Sequence, residues 1–400
     1  MAENSMSSKH EDGRNPGEKP RKAATILTHG GRRPADFHGF VNPPLVRAST
    51  VLFASADEMK HRRTSRYSYG LTNTPTIEAM NTAWSELEGA AATVLVPSGL
   101  AAVSLAILAG VSAGEEILVP DNVYGPTRRF CEGTLKRLGM GTTYYDPMDL
   151  SGLKEALKNG ANAVFAEAPG SITFETPDLQ EILNAARAAG AITMIDNTWA
   201  TPLIYRPIAH GFDFSIQAST KYVGGHADLL LGSVSANERH AARLSRTHTE
   251  LGIQAGPDEI YLAMRGMRTM KVRIEQHEKQ ALEVAHWLAG RPEVARVLHP
   301  ALSSCPGHAN WQRFFGRSTG LFAFELKGDE AAAERFLDGL RLFGLGYSWG
   351  GFESLASYGE LSAARTVRPW PGGPVIRLHI GLEDVADQIA DLEAAFAAIG

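Results

Sequence analysis

A chain of 400 residues, 44% hydrophobic and 21% charged, is long enough for two domains with sizeable buried cores. Its 39 basic and 44 acidic residues leave a net charge of −5, which argues against nucleic acid or an anionic membrane surface as partner and points to a small-molecule ligand. Two cysteines, Cys131 and Cys305, are too few for a disulfide framework and have no metal-ligand spacing, so a reducing cytoplasm and a site without metal are expected.

Residues 1–22 are polar, carry Pro and Gly, and contain no apolar core of a signal peptide, so a disordered tail is expected. No later run reaches the roughly 18 to 20 apolar residues of a membrane-spanning helix, and a soluble protein is expected. Residues 23–71 show little periodicity. Pro43-Pro44 stiffens them into an extended arm, expected to reach a neighbouring subunit.

From 72 to 266 apolar runs alternate with helical patterns. Thr74-Pro75 reads as N-cap and first-turn proline, followed by Ile77, Met80, Trp84 and Leu87 at helical spacing up to Gly89. Strands are expected at 93–96, 117–119, 142–145, 163–166, 192–195, 214–216 and 229–234. The alternation predicts an α/β domain with a mainly parallel sheet, whose ligand sits at the carboxyl ends of the strands. Residues 267–400 read as a smaller α+β domain. It opens near Arg265 with a long helix whose apolar face is Val272, Ile274, Leu282, Val284 and Leu288; strands at 294–298, 321–326 and 376–380 and helices at 330–341 and 384–399 follow.

Lys221 follows a strand in Ser219-Thr220-Lys221-Tyr222-Val223-Gly224-Gly225, one βα unit after Asp196. A lysine amine can condense with the aldehyde of pyridoxal 5'-phosphate (PLP), and an upstream aspartate can keep the ring nitrogen protonated. Alone, Asp196 reads equally as a helix cap. Ser98-Gly99-Leu100 links a strand to a small-residue helix whose free N–H groups suit a phosphate, although a tight turn needs the same glycine without a ligand. The Ser219 and Thr220 hydroxyls could add phosphate donors. Tyr124 offers an aromatic face for a planar cofactor, and reads as readily as a packing tyrosine.

Tyr69-Gly70, Ser98-Gly99, Asn122-Val123-Tyr124, Glu167-Ala168-Pro169, Asp196-Asn197-Thr198, Ser219-Thr220-Lys221, Tyr347-Ser348-Trp349 and Arg377-Leu378-His379 occur in consistent order. Together they make residues 25–400 resemble the cysteine/methionine-metabolism (trans-sulfuration) family of PLP-dependent enzymes. That resemblance implies the aspartate aminotransferase-like, fold type I architecture with PLP as cofactor. It implies that Lys221 holds the cofactor and moves protons, Asp196 pairs with the ring nitrogen, and Tyr124 stacks on the ring. Gly99, Leu100 and Thr220 would hold the phosphate, with Ser219 as a partial substitute for a serine that many relatives carry at the position of Ala218. Tyr69 from an adjacent subunit would complete the phosphate site of a homotetramer built from two dimers.

Arg377 would bind the substrate carboxylate with Ser348 nearby. Leu71 stands where an arginine is expected, leaving Arg66 or another residue to compensate. Tyr347 and Trp349 resemble the branch that eliminates at the β-carbon, which implies cleavage of L-cystathionine to homocysteine, pyruvate and ammonia. The alternative is a γ-acting relative: a γ-synthase, a γ-lyase or a homoserine-ester sulfhydrylase.

Overall fold

A computed structural model describes residues 20–359, 361 and 365–399, so 1–19 of the expected N-terminal tail lie outside the described residues. Seven strands form the larger sheet: β1 (Ala92–Val96), β2 (Glu116–Pro120), β3 (Gly141–Tyr145), β4 (Ala163–Glu167), β5 (Ile192–Asp196), β6 (Phe214–Gln217) and β7 (Gly232–Ala236). Their order is β1-β7-β6-β5-β4-β2-β3. Strands β3, β2, β4, β5 and β6 pair in parallel, and β7 alone runs against its neighbours β6 and β1.

Parallel neighbours cannot be joined by tight hairpins. Helices such as Gly99–Gly110 and Leu179–Ala189 make the return crossings and cover the sheet faces. Both faces are therefore buried, and β2 and β4 read as nearly unbroken apolar runs. The crossings also bring Ser98, Tyr124, Glu167, Asp196 and Lys221 to the carboxyl side of the sheet, where the chain leaves each strand.

The last strand of this sheet corrects the sequence expectation of 229–234: it runs Gly232–Ala236. Leu229 and Leu231 are buried in a cluster with Tyr222, Met264 and Met267 from outside the strand, while Leu230 is exposed. The strand proper alternates Val234 with Ser233 and Ser235, which is buried on both faces because Ser235 Oγ pairs with Thr93 Oγ1 at 2.8 Å. An apolar run marked the approach to the strand, and paired hydroxyls hid the strand itself.

The smaller sheet has the order β10-β11-β12-β9-β8, from β8 (Val294–Leu298), β9 (Leu321–Leu326), β10 (Gly344–Leu345), β11 (Leu355–Gly359) and β12 (Val375–His379). The helix Pro257–Ala289 runs across the expected boundary at 266/267. Its first half packs Ile260, Met264, Met267 and Ile274 beneath the Lys221 segment, and its second half packs Ala281, Val284 and Leu288 in the smaller core. Gly266 lies at the crossing point. A Cβ there would meet Val223 O and Gly224 O at 2.4 and 2.2 Å, so the glycine is a close backbone approach and no linker.

The expected arm also begins differently. Ala23–His29 is a helix whose Ile26 and Leu27 are buried against the chain's own core, with Arg268 Nη1 donating to Leu27 O and Gly30 O. Beyond His38 the arm is largely extended, apart from the short helix Ala56–Lys60, and it exposes Phe40, Val41, Leu52 and Met59. It folds back on itself where Thr50 bridges Tyr69. Gly70 allows that crossing, because any Cβ would lie 1.8 Å from Ala48 O.

Candidate active site

Lys221 lies in a turn closed by Lys221 N to Ala218 O, Gly224 N to Ser219 O and Gly225 N to Lys221 O. Its Nζ donates to Ser348 Oγ at 2.7 Å and stands 5.4 Å from the centre of the Trp349 ring. Burial, and then the charge of Arg377, bring the amine down to about 8, against the pull of Asp196. A lysine so placed is neutral for an appreciable fraction of the time near neutral pH, as a nucleophile or base requires.

Asp196 ends β5 and Glu167 ends β4 at paired positions. Burial raises both carboxyls; each then feels other groups, Glu167 the charge of Asp196, and Asp196 the opposing bonds from Thr198 and the charge of Lys221. Two buried acids side by side make a place where a proton or a cation is welcome. Glu167 Oε2 also accepts from Tyr124 N at 2.9 Å, which ties the Tyr124 loop to the carboxylate pair. The Tyr124 ring is 44% exposed, so it is free to lie against a ligand instead of filling the core. Its phenol is raised by burial and by Glu167 and Asp196, and lowered by Arg129 and Arg377.

The wall opposite comes from the smaller sheet. Arg377 on β12 donates from Nη2 to Ser348 O at 3.3 Å, and its guanidinium, brought down by burial, is held up by Tyr124 and Tyr347. Ser348 carries φ +79°, a left-handed conformation that costs a non-glycine residue on the order of 1–3 kcal/mol and persists where its surroundings over-determine it. Here Lys221 grips its side chain and Arg377 its carbonyl.

These residues fit PLP. The helix Gly99–Gly110 is capped by Ser98, whose Oγ accepts from Ala101 N at 3.1 Å, leaving the first-turn amides of Gly99 and Leu100 at the helix start, suited to a phosphate. A Cβ at Gly99 would lie 2.5 Å from the Ala218 Cβ, so this cradle admits only glycine. Lys221 could hold an aldehyde, Asp196 a protonated ring nitrogen, and Tyr124 the ring face.

Other expected contributors stand elsewhere. The Ser219 side chain corrects its expectation: fully buried, it pairs with Ser233 Oγ at 3.4 Å beneath the turn, which is packed on Arg273 through Tyr222 O. Thr220 Oγ1 donates to Leu231 O and accepts from Leu231 N, so as it stands its hydroxyl braces the start of β7. Arg66, offered as a substitute for the arginine missing at Leu71, is bonded to Glu78 at 2.8 and 3.1 Å and lies near Asp36. Tyr69 is 49% exposed on the arm and has no described contact with Lys221. Glu167 was missed as a site residue; its place at the end of the apolar run 163–166 was a readable signal, whereas its pairing with Asp196 was not.

Residues 24–397 match the family model for Cys/Met metabolism PLP-dependent enzymes, and the chain belongs to that family. It is therefore a PLP-dependent enzyme of the fold type I class. It is 41% identical over 392 residues to the cystathionine beta-lyase MetC of Escherichia coli, covering 95% of this chain and 99% of that one. It is 43% identical over 387 residues to the cystathionine beta-lyase of Bordetella avium, covering 93% and 96%. The crystal structure of cystathionine gamma synthase from Xanthomonas oryzae pv. oryzae in complex with aminoacrylate and cysteine superposes with a TM-score of 0.89 at 31% identity, covering 95% of this chain and 99% of that chain.

Proposed function

We propose that this chain is a carbon–sulfur lyase that cleaves L-cystathionine by β-elimination, giving homocysteine, pyruvate and ammonia with the uptake of one water. The observation that carries the reading is the Tyr347-Ser348-Trp349 turn set directly against Lys221, with Ser348 bonded to its amine and Trp349 beside it. Greater identity to the two β-lyases than to the γ-synthase structure supports the same choice.

Lys221, Asp196, Tyr124, Gly99 and Leu100 would hold the cofactor, joined by Thr220 if its side chain turns. Bound PLP supplies an electron sink that stabilises negative charge at the substrate Cα. Arg377 takes the α-carboxylate through its planar fork and so fixes which Cα bond faces Lys221. With its amine near 8, Lys221 takes the Cα proton. Ser348 Oγ, already 2.7 Å from that amine, orients it. The Cβ–S bond then breaks with its electron pair on sulfur, which takes up the proton that Lys221 removed from Cα, while Trp349, packed beside Lys221, shields the leaving thiol from water. A γ-elimination needs a further proton removed at Cβ, and no carboxylate stands at 347 to assist it.

The enzyme is proposed to be a cytoplasmic homotetramer, a dimer of dimers in which Tyr69 reaches the phosphate of a second copy. Support comes from the arm, where Leu52 is 89% exposed and Phe40 70%, an apolar surface that a second copy would cover. Among the described residues no helix is long and apolar enough to cross a membrane. Product identification tests the reaction. Pyruvate and homocysteine from cystathionine are expected; cysteine and 2-oxobutyrate would overturn the β-lyase reading in favour of a γ-lyase. A Tyr69→Phe, Lys221→Ala chain mixed with wild type tests the shared site, since each hybrid retains only a Lys221 site paired with the defective Tyr69.

A further inference from the structure

Arg377 and His379 lie two residues apart on β12 and therefore point to the same face, toward the turn that carries Ser348 and Trp349. Arg377 holds the front of that turn through Ser348 O. At its back, the His379 Nε2 accepts from Gly350 N or donates to Gly351 O, both at 3.1 Å. The imidazole is buried, 1% exposed, packed against His277 and Tyr222. Gly350 sits at φ +84°, and a Cβ there would meet Lys221 C at 2.9 Å and Tyr222 N at 2.8 Å, so the backbone of the turn lies directly on the backbone of Lys221.

We propose that His379 is a positioning residue for the reaction: it pins the Gly350-Gly351 backbone against the Lys221 turn and thereby holds Ser348 and Trp349 in register with the Lys221 amine. Either neutral tautomer keeps one bond to the turn, since the shared nitrogen meets a donor on one side and an acceptor on the other. Burial, then the neighbouring His277, bring the imidazole down to about 3, so it stays neutral beside Arg377 and Lys221. A second set of ties exists downstream, where Leu382 N donates to Phe352 O and Ser354 is bonded to Glu383. The inference is that these do not suffice. It rests on the reading that Lys221 and Arg377 face the reacting carbon.

The test uses the holoenzyme and three variants. Glutamine carries its amide nitrogen and oxygen about as far from the backbone as the Nε2 of histidine, whereas asparagine reaches only the level of Nδ1, and leucine offers no polar atom. His379→Leu and His379→Asn should lower kcat/KM for cystathionine by on the order of tenfold to a hundredfold, and His379→Gln should recover most of the loss. Calorimetric affinity for glycine, which has the α-amino and α-carboxylate groups but no leaving group, should fall in the same order. Circular dichroism and gel filtration select the folded tetrameric fraction for each comparison. A folded His379→Leu enzyme with wild-type kcat/KM and glycine affinity overturns the proposal, as does asparagine rescuing as well as glutamine. Wild-type protein that makes no pyruvate would instead refute the lyase reading, and the glycine comparison would still decide the role of His379.

Discussion

The floor and the wall of the site are built by different means. On the floor, Asp196, Glu167, Tyr124 and the Gly99 helix start each occupy the carboxyl end of a strand of the larger sheet or the loop just beyond it, so the sheet ladder places them. On the wall, Tyr347, Ser348 and Trp349 belong to a turn outside the strands, held by side-chain bonds to Lys221, Arg377 and His379. A floor residue can therefore be replaced with less change in its neighbours' positions, Glu167 excepted, whose carboxylate holds Tyr124 N. On the wall, changing one residue moves the others.

Lys221, which joins floor to wall, and the floor itself should show the largest effects. Lys221→Ala should abolish covalent cofactor attachment, and borohydride reduction with peptide mapping should find the cofactor on Lys221 in the wild type and on no lysine in the variant. Pyruvate formation should fall by roughly two to four decades, the range associated with a positioned proton-transfer group. Asp196→Ala should come next. It removes the carboxyl proposed to pair with the ring nitrogen, so equilibrium dialysis should show weaker cofactor binding, and turnover should fall severely even at saturating PLP. Near-normal turnover at full occupancy would pass that role to Glu167.

On the wall, Arg377→Ala should raise KM for cystathionine and lower kcat/KM by about one to two decades, since a hydrogen bond to a charged group is worth about 1.5–3 kcal/mol. Its absorbance spectrum without substrate should stay that of the wild type, because the floor is intact. Trp349→Leu and Tyr347→Glu should reduce pyruvate formation more than they reduce substrate binding, and less together than the sum of their separate effects, because either change already displaces the shared turn. Strict additivity would mean that these two aromatics do not act through one turn. The smallest effect belongs to the arm. Arg66→Ala breaks an exposed pair with Glu78 and should cost about 0.2–1 kcal/mol of stability with unchanged PLP affinity; a loss of cofactor would reinstate Arg66 as a phosphate ligand.

Much of the floor was legible in the sequence. Asp196 closes an apolar run, Ser98-Gly99 opens a small-residue helix, and Lys221 follows a strand in a glycine-bounded turn; each of these is a local pattern with a local cause. The serine beside Lys221 was less readable. Whether Ser219 faces a ligand or the core depends on the twist of a turn packed on Arg273, which donates to Tyr222 O and Gly266 O from a helix some fifty residues away in the chain. The break expected at 266/267 failed for a related reason. The change to a long helical pattern near Arg265 marks the start of a helix in sequence, and only the packed structure shows that this helix serves both cores, with Gly266 making room for Gly224 O.

What the sequence determined by itself was the alternation of strands and crossing helices, and with it the edge on which the chemistry lies, because hydrophobic period and capping residues act over a few neighbours. Tertiary structure alone decided which groups meet there. Glu167 joins Asp196 through strand pairing across 29 residues, Ser348 joins Lys221 across 127, and Arg377 and His379 fix the turn between them from a strand of the other sheet. Contacts at that separation depend on how two layers pack, and that information is distributed over both cores, beyond the reach of any motif.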